Sequence, residues 1–348
     1  MTPCVFIILL IMLMMGTIMT LTSSHWLLAW TGLEINTFAI IPLMTQDKHP
    51  RAMEAALKYF LVQSTAAITL LFAATSNAWL SGQWEIQQMT HALPLTMATI
   101  ALIMKMGLAP LHSWLPEVLQ GLNLTTGLIL STWQKLAPLA LLIQISYTPS
   151  FLWAIVGLLS ILIGGWGGLN QTQLRKILAY SSITHLGWII LIIHYLPPLA
   201  FMSFLAYTML TAPIFMAFSY LQTKNMNSLF TSWNKSPLLF STVFLSLLSL
   251  GGLPPFSGFV PKWLILQEMA KQALMPLATM AALFSLLSLY YYLRLSYFMA
   301  LTMPPGNLPA TLSWHFFCPR PFLTLTALIV FSLCLLPILP SFNTFFIY

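Results

Sequence analysis

A carboxylate, three amines and two imidazoles lie in or beside long apolar runs of this sequence: Glu34, Lys105, Lys135, Lys262, His112 and His185. A lysine at the centre of a membrane span costs roughly 2.5 to 3.5 kcal/mol even on insertion scales, so such groups face a protein interior or a hydrated cavity and mark ion pathways. The chemistry open to this set is proton transfer. Desolvation favours loss of a lysine's proton, and a nearby carboxylate opposes that loss. An approach of Glu34 to Lys105 would therefore hold the amine protonated, and withdrawal would release the proton to a neighbour such as Lys135. Lysine suits the task because arginine stays charged on burial, and no arginine falls in the middle of any span.

Two interrupted segments must position these groups. The run K-M-G-L-A-P-L-H-S-W-L-P, Lys105 to Pro116, sets a cation and a helix break inside an apolar stretch. Its G-L-A-P core returns as G-L-P-P at Gly252, again followed by five residues and a proline, Pro261, with Lys262 next. The break residues are Gly107 and Pro110 in the first copy, and Gly252, Pro254 and Pro255 in the second. Lipid offers no partner to a freed backbone group, so such breaks are sheltered by protein or line a cavity. Paired breaks of this kind point to a transporter built from inverted repeats, with its site near the bilayer midplane. Lys105 and Lys135 each stand fifteen residues from position 120. A hairpin folded there would hold them at similar depth, at ~1.5 Å per helical residue.

The surrounding chain is membrane-like throughout. Of 348 residues, 59% are hydrophobic and 5% charged, against about 25% charged in a soluble domain. At about 20 apolar residues per crossing, the sequence predicts an all-α, polytopic protein with eleven spans: 3–21, 25–44, 57–80, 92–118 (broken), 122–145, 150–170, 174–195, 199–221, 237–268 (broken), 273–299 and 322–340. A Pro-rich strap, Leu301 to Pro321, precedes the last. The ends then face opposite sides. Lys48, Arg51, Lys58, Arg175, Lys176, Lys224, Lys235, Arg294 and Arg320 gather on the N-terminal side, and the positive-inside rule makes that the translating compartment.

Other chemistries are poorly supported. The formal charge of +7 is carried by scattered residues without aromatic interleaving, unlike a nucleic-acid surface. Cys4, Cys318 and Cys334 are far apart and suggest neither a disulfide framework nor a metal site. Haem or iron-sulfur ligation would need paired histidines or clustered cysteines. The N-terminus has neither a basic n-region with a cleavage site nor an Arg-rich transit pattern. G-G-W-G-G at Gly164 to Gly168 follows no strand and reads as close helix packing, while Trp26, Trp30 and Tyr290 to Tyr292 read as interface anchors. Plainer readings also stand for the charged set. Glu34 and Lys105 could be structural glue, Lys135 could snorkel to an interface, Lys262 could lie near a surface, and His112 and His185 fit a satisfied core histidine as well as a relay.

W-T-G-L-E-I-N (Trp30 to Asn36), K-M-G-L-A-P-L-H-S-W-L-P-E-V (Lys105 to Val118), A-Y-S-S-I-T-H-L-G (Ala179 to Gly187) and G-L-P-P-F-S-G-F-V-P-K-W (Gly252 to Trp263) together resemble the antiporter-like subunits of respiratory complex I. Order, spacing and length are most similar to a member encoded in animal, vertebrate mitochondrial DNA. The resemblance implies two inverted five-helix repeats, 1–147 and 148–300, then a loop and final helix over 301–348. Bacterial relatives carry fourteen spans, and this chain would lack the first three. It also implies that Glu34 is the family's glutamate, Lys105 and Lys262 the lysines of the broken helices, and Lys135 the central connecting lysine, with His185 supporting hydration.

The expected function is proton conduction from matrix to intermembrane space within a mitochondrial inner-membrane complex, the N-terminus in the matrix. NADH, FMN, iron-sulfur clusters and ubiquinone would belong to partner subunits, with no cofactor or metal in this chain. Expected partners are other complex I subunits, including neighbouring antiporter-like ones, and inner-membrane lipids, with cardiolipin a candidate; nucleic acid is not. The alternatives are a free-standing cation/proton antiporter and a structural subunit with an inactive channel.

Overall fold

The computed structural model describes residues 3–46, 49–145, 150–234, 236–301 and 323–334. Among them the regular structure is helical, apart from two isolated backbone bridges. Residues 302–321 of the strap, residues 322 and 335–340 of the expected last span, and Lys48, Lys235, Cys318 and Arg320 lie outside the described residues. The chain forms two compact units, Met1–Ser160 and Ile161–Tyr348.

In the first unit α1 (Pro3–Thr22), α2 (Trp26–Met44) and α3 (Pro50–Ser81) are continuous helices. The fourth expected span is broken into α4 (Ala92–Met106) and α5 (Trp114–Gly121). The fifth is divided as well, into α6 (Leu124–Ser131) and α7 (Trp133–Gln144), which the sequence reading did not anticipate. The cause is local. Thr132 leaves regular helical geometry at φ −113° and ψ −69° and turns its hydroxyl back onto the Leu128 carbonyl at 2.7 Å, a contact that bends helices.

α8 (Ser150–Gly168) runs from the first unit into the second. The second unit continues with α9 (Leu174–Ile193), α10 (Pro197–Leu221), the short α11 (Met226–Phe230), the broken pair α12 (Pro237–Gly251) and α13 (Phe259–Lys271), α14 (Met275–Leu301) and α15 (Leu323–Cys334). α9 is buried along most of its length, making it the central helix of this unit. The glycine run at the end of α8 allows that packing. A Cβ on Gly164 would meet Thr184 of α9, and one on Gly168 would meet the Tyr291 ring of α14.

Among the described residues seven helices, and α6 and α7 taken together, are long and apolar enough to cross a membrane, and α4, α12 and residues 324–333 are shorter apolar pieces. α1 turns Ile7, Ile8, Ile11, Met15 and Ile18 outward, as suits a surface whose solvent is hydrocarbon. The two units share an order of parts. In each, the segment before one helix bridges to the segment after the next, His25 with Glu85 and Gln173 with Asn225, and a broken helix follows.

Candidate functional site

The first break is built from its own carbonyls outward. α4 ends on Gly107, whose φ of 76° is left-handed, and the Gly107 N–H donates to the Ile103 and Met104 carbonyls. L-residues reach this conformation at a cost of about 1–2 kcal/mol, and a Cβ there would meet Leu115 Cδ1 at 2.8 Å. Two freed carbonyls find side-chain donors. Trp114 Nε1 donates to Met104 at 3.1 Å, and Gln63 Nε2 of α3 donates to Lys105 at 3.3 Å. The break is thus sheltered by protein, as a break at membrane depth must be.

Lys105 occupies the last turn of α4, where the helix dipole favours a cation. Its side chain is 6% exposed, and its Nζ has no hydrogen-bond partner among the described residues. It lines a cavity of about 20 Å³ with Asn36, Tyr59, Gln63, Trp114 and Gln134, room for about one water. The Asn36 Oδ1 is likewise buried without a partner. Glu34, half-buried one turn before the cavity wall, accepts a hydrogen bond from the Thr37 hydroxyl at 3.3 Å. Its charge acts on Lys105 and Tyr59, although no ion pair with Lys105 forms within 4.0 Å.

Lys135 stands in the first turn of α7 and is 2% exposed, so it does not snorkel. Its neighbour Gln134 lines the Lys105 cavity and donates to the Asn36 carbonyl at 3.4 Å. His112 sits inside the break, half-buried, its Nδ1 3.2 Å from the Pro110 carbonyl oxygen. It is not among the cavity-lining residues.

The second break repeats the fold of the first with different chemistry. α12 ends at Gly252, φ 79°, whose N–H donates to Ser249. Lys262, in the first turn of α13, folds back so that Nζ donates to the Gly251 carbonyl at 2.9 Å. It therefore caps the α12 C-terminus, a favourable place for a cation. Lys262 also lines a second cavity of about 20 Å³ with His185, Ser203, Tyr207, Trp188 and Pro261. The His185 and Tyr207 rings lie 5.4 Å apart. Ser257, within the break, donates to the Ser332 carbonyl of α15.

The structure therefore brings Lys105 into electrostatic range of Glu34, and Lys262 into one cavity with His185. Sequence reasoning missed Asn36, Gln63 and Gln134, neutral amides inside apolar helices, and the hydroxyls of Ser203 and Tyr207. Their signal was present, since a polar side chain in a span needs a partner within the bundle. The anchor reading needs correction. Trp26 is wholly buried, Trp30 donates Nε1 to the Ala67 carbonyl at 3.2 Å, and Tyr291 and Tyr292 are 2% and 1% exposed. Tyr290 alone of that trio faces outward, because consecutive helical residues point about 100° apart and only one can face lipid. Among the described residues no three His, Cys, Asp or Glu side chains lie together as a metal site would require.

Residues 23–288 match the family model for the transmembrane part of NADH:quinone oxidoreductases and Mrp antiporters, and 289–343 match that for the C-terminus of NADH dehydrogenase subunit 2. NADH-ubiquinone oxidoreductase chain 2 of Tetraodon nigroviridis is 60% identical over 99% of both chains, and that of Salmo salar 58% over 99% of both. A chain of respiratory complex I from Thermus thermophilus with bound aureothin superposes with a TM-score of 0.85 at 29% identity, over 97% of this chain and 79% of that one. The Mrp complex of Dietzia, at TM-score 0.75 and 20% identity over 82% and 59% of the two chains, shares the fold. With both family models matching in succession and full-length relatives so similar, the chain belongs to the NADH-ubiquinone oxidoreductase chain 2 family, antiporter-like membrane subunits of respiratory complex I.

Proposed function

We propose that this chain conducts protons across the mitochondrial inner membrane through a relay of Glu34, Lys105, Lys135 and Lys262, in which the lysines carry the proton and Glu34 sets the charge of Lys105, with His112 and His185 supporting the relay or its hydration. One observation carries the reading: each unit sets a broken-helix lysine against a cavity of about 20 Å³, large enough for about one water. An amine holds its proton or passes it through water according to the charge around it. Lys105 has a carboxylate in range to hold the proton, and its unpartnered Nζ leaves that proton available to a water. Lys262 has the Gly251 carbonyl to hold it and His185 in the same cavity to receive it. Relaxation of Glu34 away from Lys105 is the step that electron transfer in partner subunits would drive.

The direction is matrix to intermembrane space, with the N-terminus in the matrix, supported by the basic residues Arg51, Lys58, Arg175, Lys176, Lys224 and Arg294, which the topology expected from the sequence gathers on one side. Residues 1–147 and 148–300 act as inverted repeats. NADH, FMN, iron-sulfur clusters and ubiquinone act in partner subunits, which include neighbouring antiporter-like chains, and inner-membrane lipids, with cardiolipin a candidate, cover the outer faces.

The test is the number of protons pumped per electron by an assembled complex carrying Lys105→Ala, with assembly followed on native gels. Loss of pumping from an intact complex is the expected result. Normal stoichiometry from an intact complex would overturn the relay and leave a structural subunit with an inactive channel.

A further inference from the structure

One end of the second unit carries a cavity outside the proposed proton pathway. Two loops are joined there by backbone bonds, the Leu174 N–H to the Lys224 carbonyl at 3.2 Å and the Met226 N–H to the Thr172 carbonyl at 3.1 Å. Beside them lies a cavity of about 370 Å³, within the size range of about 300–1,000 Å³ typical of ligand sites. Its lining has two characters. Arg294, Thr172, Asn225 and Asn227 are polar, whereas Met226, Phe230 and Phe298 are apolar.

Arg294 is the charged member. Its Nη1 donates to the Leu169 carbonyl at 2.7 Å, which fixes the guanidinium at the cavity. No carboxylate lies within 4.0 Å of it among the described residues. The sequence explains why. From Ile161 onward the chain has Arg175, Lys176, Lys224, Lys235, Lys262, Lys271, Arg294 and Arg320 but Glu268 as its single acidic residue, and Glu268 pairs with Lys271 at 3.2 Å. No acidic side chain of the unit is left to fill this cavity.

The level in the bilayer and the lining select which anion. The cavity sits where α9 begins, α10 has ended and α14 is finishing, at helix ends, where spans meet the headgroup layer. Basic pockets between spans at that level suit phosphorylated lipid headgroups, and the planar guanidinium matches phosphate bidentately. We propose that this cavity binds the headgroup phosphate of an anionic phospholipid. Arg294 holds the phosphate, the amides of Asn225 and Asn227 and the Thr172 hydroxyl donate to its remaining oxygens, and Met226, Phe230 and Phe298 contact the glycerol and first acyl carbons. Free inorganic phosphate would leave those three apolar residues unused. The inference rests on the membrane placement of the proposed function but not on its relay.

The test uses the intact complex reconstituted in phosphatidylcholine vesicles containing a minor fraction of phosphatidylglycerol with a photoactivatable group near its headgroup. Labelled peptides are then mapped by mass spectrometry, whether or not the complex pumps. The expected result is labelling within residues 222–230 and 294–301, reduced about fivefold by Arg294→Gln, as loss of one cation near an anionic surface predicts, and reduced less by Arg294→Lys, which keeps the charge but loses the bidentate fork. Should Arg294→Gln not assemble, Asn227→Leu is expected to lower the same labelling in an assembled complex. Labelling unchanged by these substitutions would overturn the proposal. So would its competition by millimolar inorganic phosphate, or a carboxylate of a neighbouring subunit seated against Arg294 in a density map of the complex. A complex that pumps normally in the Lys105→Ala test but is labelled here would sink the relay and leave the lipid site standing.

Discussion

The two broken helices are the same backbone device serving two different cations. Advancing 145 positions carries Gly107 onto Gly252, Pro110 onto Pro255 and Pro116 onto Pro261, and the second half-helices start in register at Trp114 and Phe259. Both glycines are left-handed, and both breaks hold a cis X-Pro bond at matching positions. The lysines do not correspond. The same shift puts Leu250 at the place of Lys105 and Lys262 at the place of Glu117. In the first unit the amine lies before the break, unpartnered and in range of a carboxylate, while Glu117 points out to pair with Lys58 at 2.9 Å. In the second the amine lies after the break and turns back onto the helix end. A backbone discontinuity thus makes room for a charge from either side, and the neighbouring electrostatics then differ: a carboxylate in one unit, a helix terminus and an imidazole in the other.

The sharpest way to break this comparison is to fix the charges permanently. Lys105→Arg should be as damaging as Lys105→Ala to pumping by the assembled complex, because arginine keeps its proton. A drop of about tenfold in coupled turnover requires only ~1.4 kcal/mol on the transfer barrier. If arginine restores pumping, a fixed positive charge suffices and the relay reading fails. Glu34→Gln should be next in size, lowering pumping without matching the lysine variants, since it removes an influence at a distance and not a carrier. An equal loss in Glu34→Gln would mean that the carboxylate itself passes the proton.

The glycines separate backbone from chemistry. Gly107→Ala and Gly252→Ala should each destabilise by at least about 1–2 kcal/mol from the left-handed backbone alone, read as a lower melting temperature of the assembled complex. A Cβ at Gly252 would in addition meet Lys262 Nζ at 2.9 Å, whereas at Gly107 it meets Leu115. Pumping by the surviving complex should therefore suffer more in Gly252→Ala, and equal pumping would show that the Lys262 contact with the helix end is incidental. The smallest effect is expected from Gln63→Met, which removes one hydrogen bond to the Lys105 carbonyl, worth about 1 kcal/mol, and should shift melting while leaving proton stoichiometry intact.

How far the chain announces itself varies from residue to residue. The breaks were legible because Gly and Pro act locally, through φ and a missing donor. The division of the fifth span was not, since it falls at Thr132 without the Gly-Pro cluster that marks the other two. Lys135 left two readings open, snorkelling or buried, because a linear pattern gives a lysine's place along a helix and not the face that neighbouring helices cover. Tyr291 and Tyr292 misled for the same reason. Near a span end they suggested the membrane interface, but α8 presents Gly168 there and draws the Tyr291 ring inward.

Residue types along the chain were enough to place the apolar spans in order, the two Gly-Pro interruptions and the short list of ionisable groups among them. Those depend on residue type over a few neighbouring positions, where hydrocarbon solvation and backbone geometry leave little choice. Packing was needed to bring Glu34 near Lys105 without an ion pair, to turn Lys262 back onto Gly251, and to gather Asn36, Gln63 and Gln134 around the first amine. Those relations join residues far apart in the chain, and they are fixed by which helix faces pack together once each buried polar group has to find a partner inside the protein.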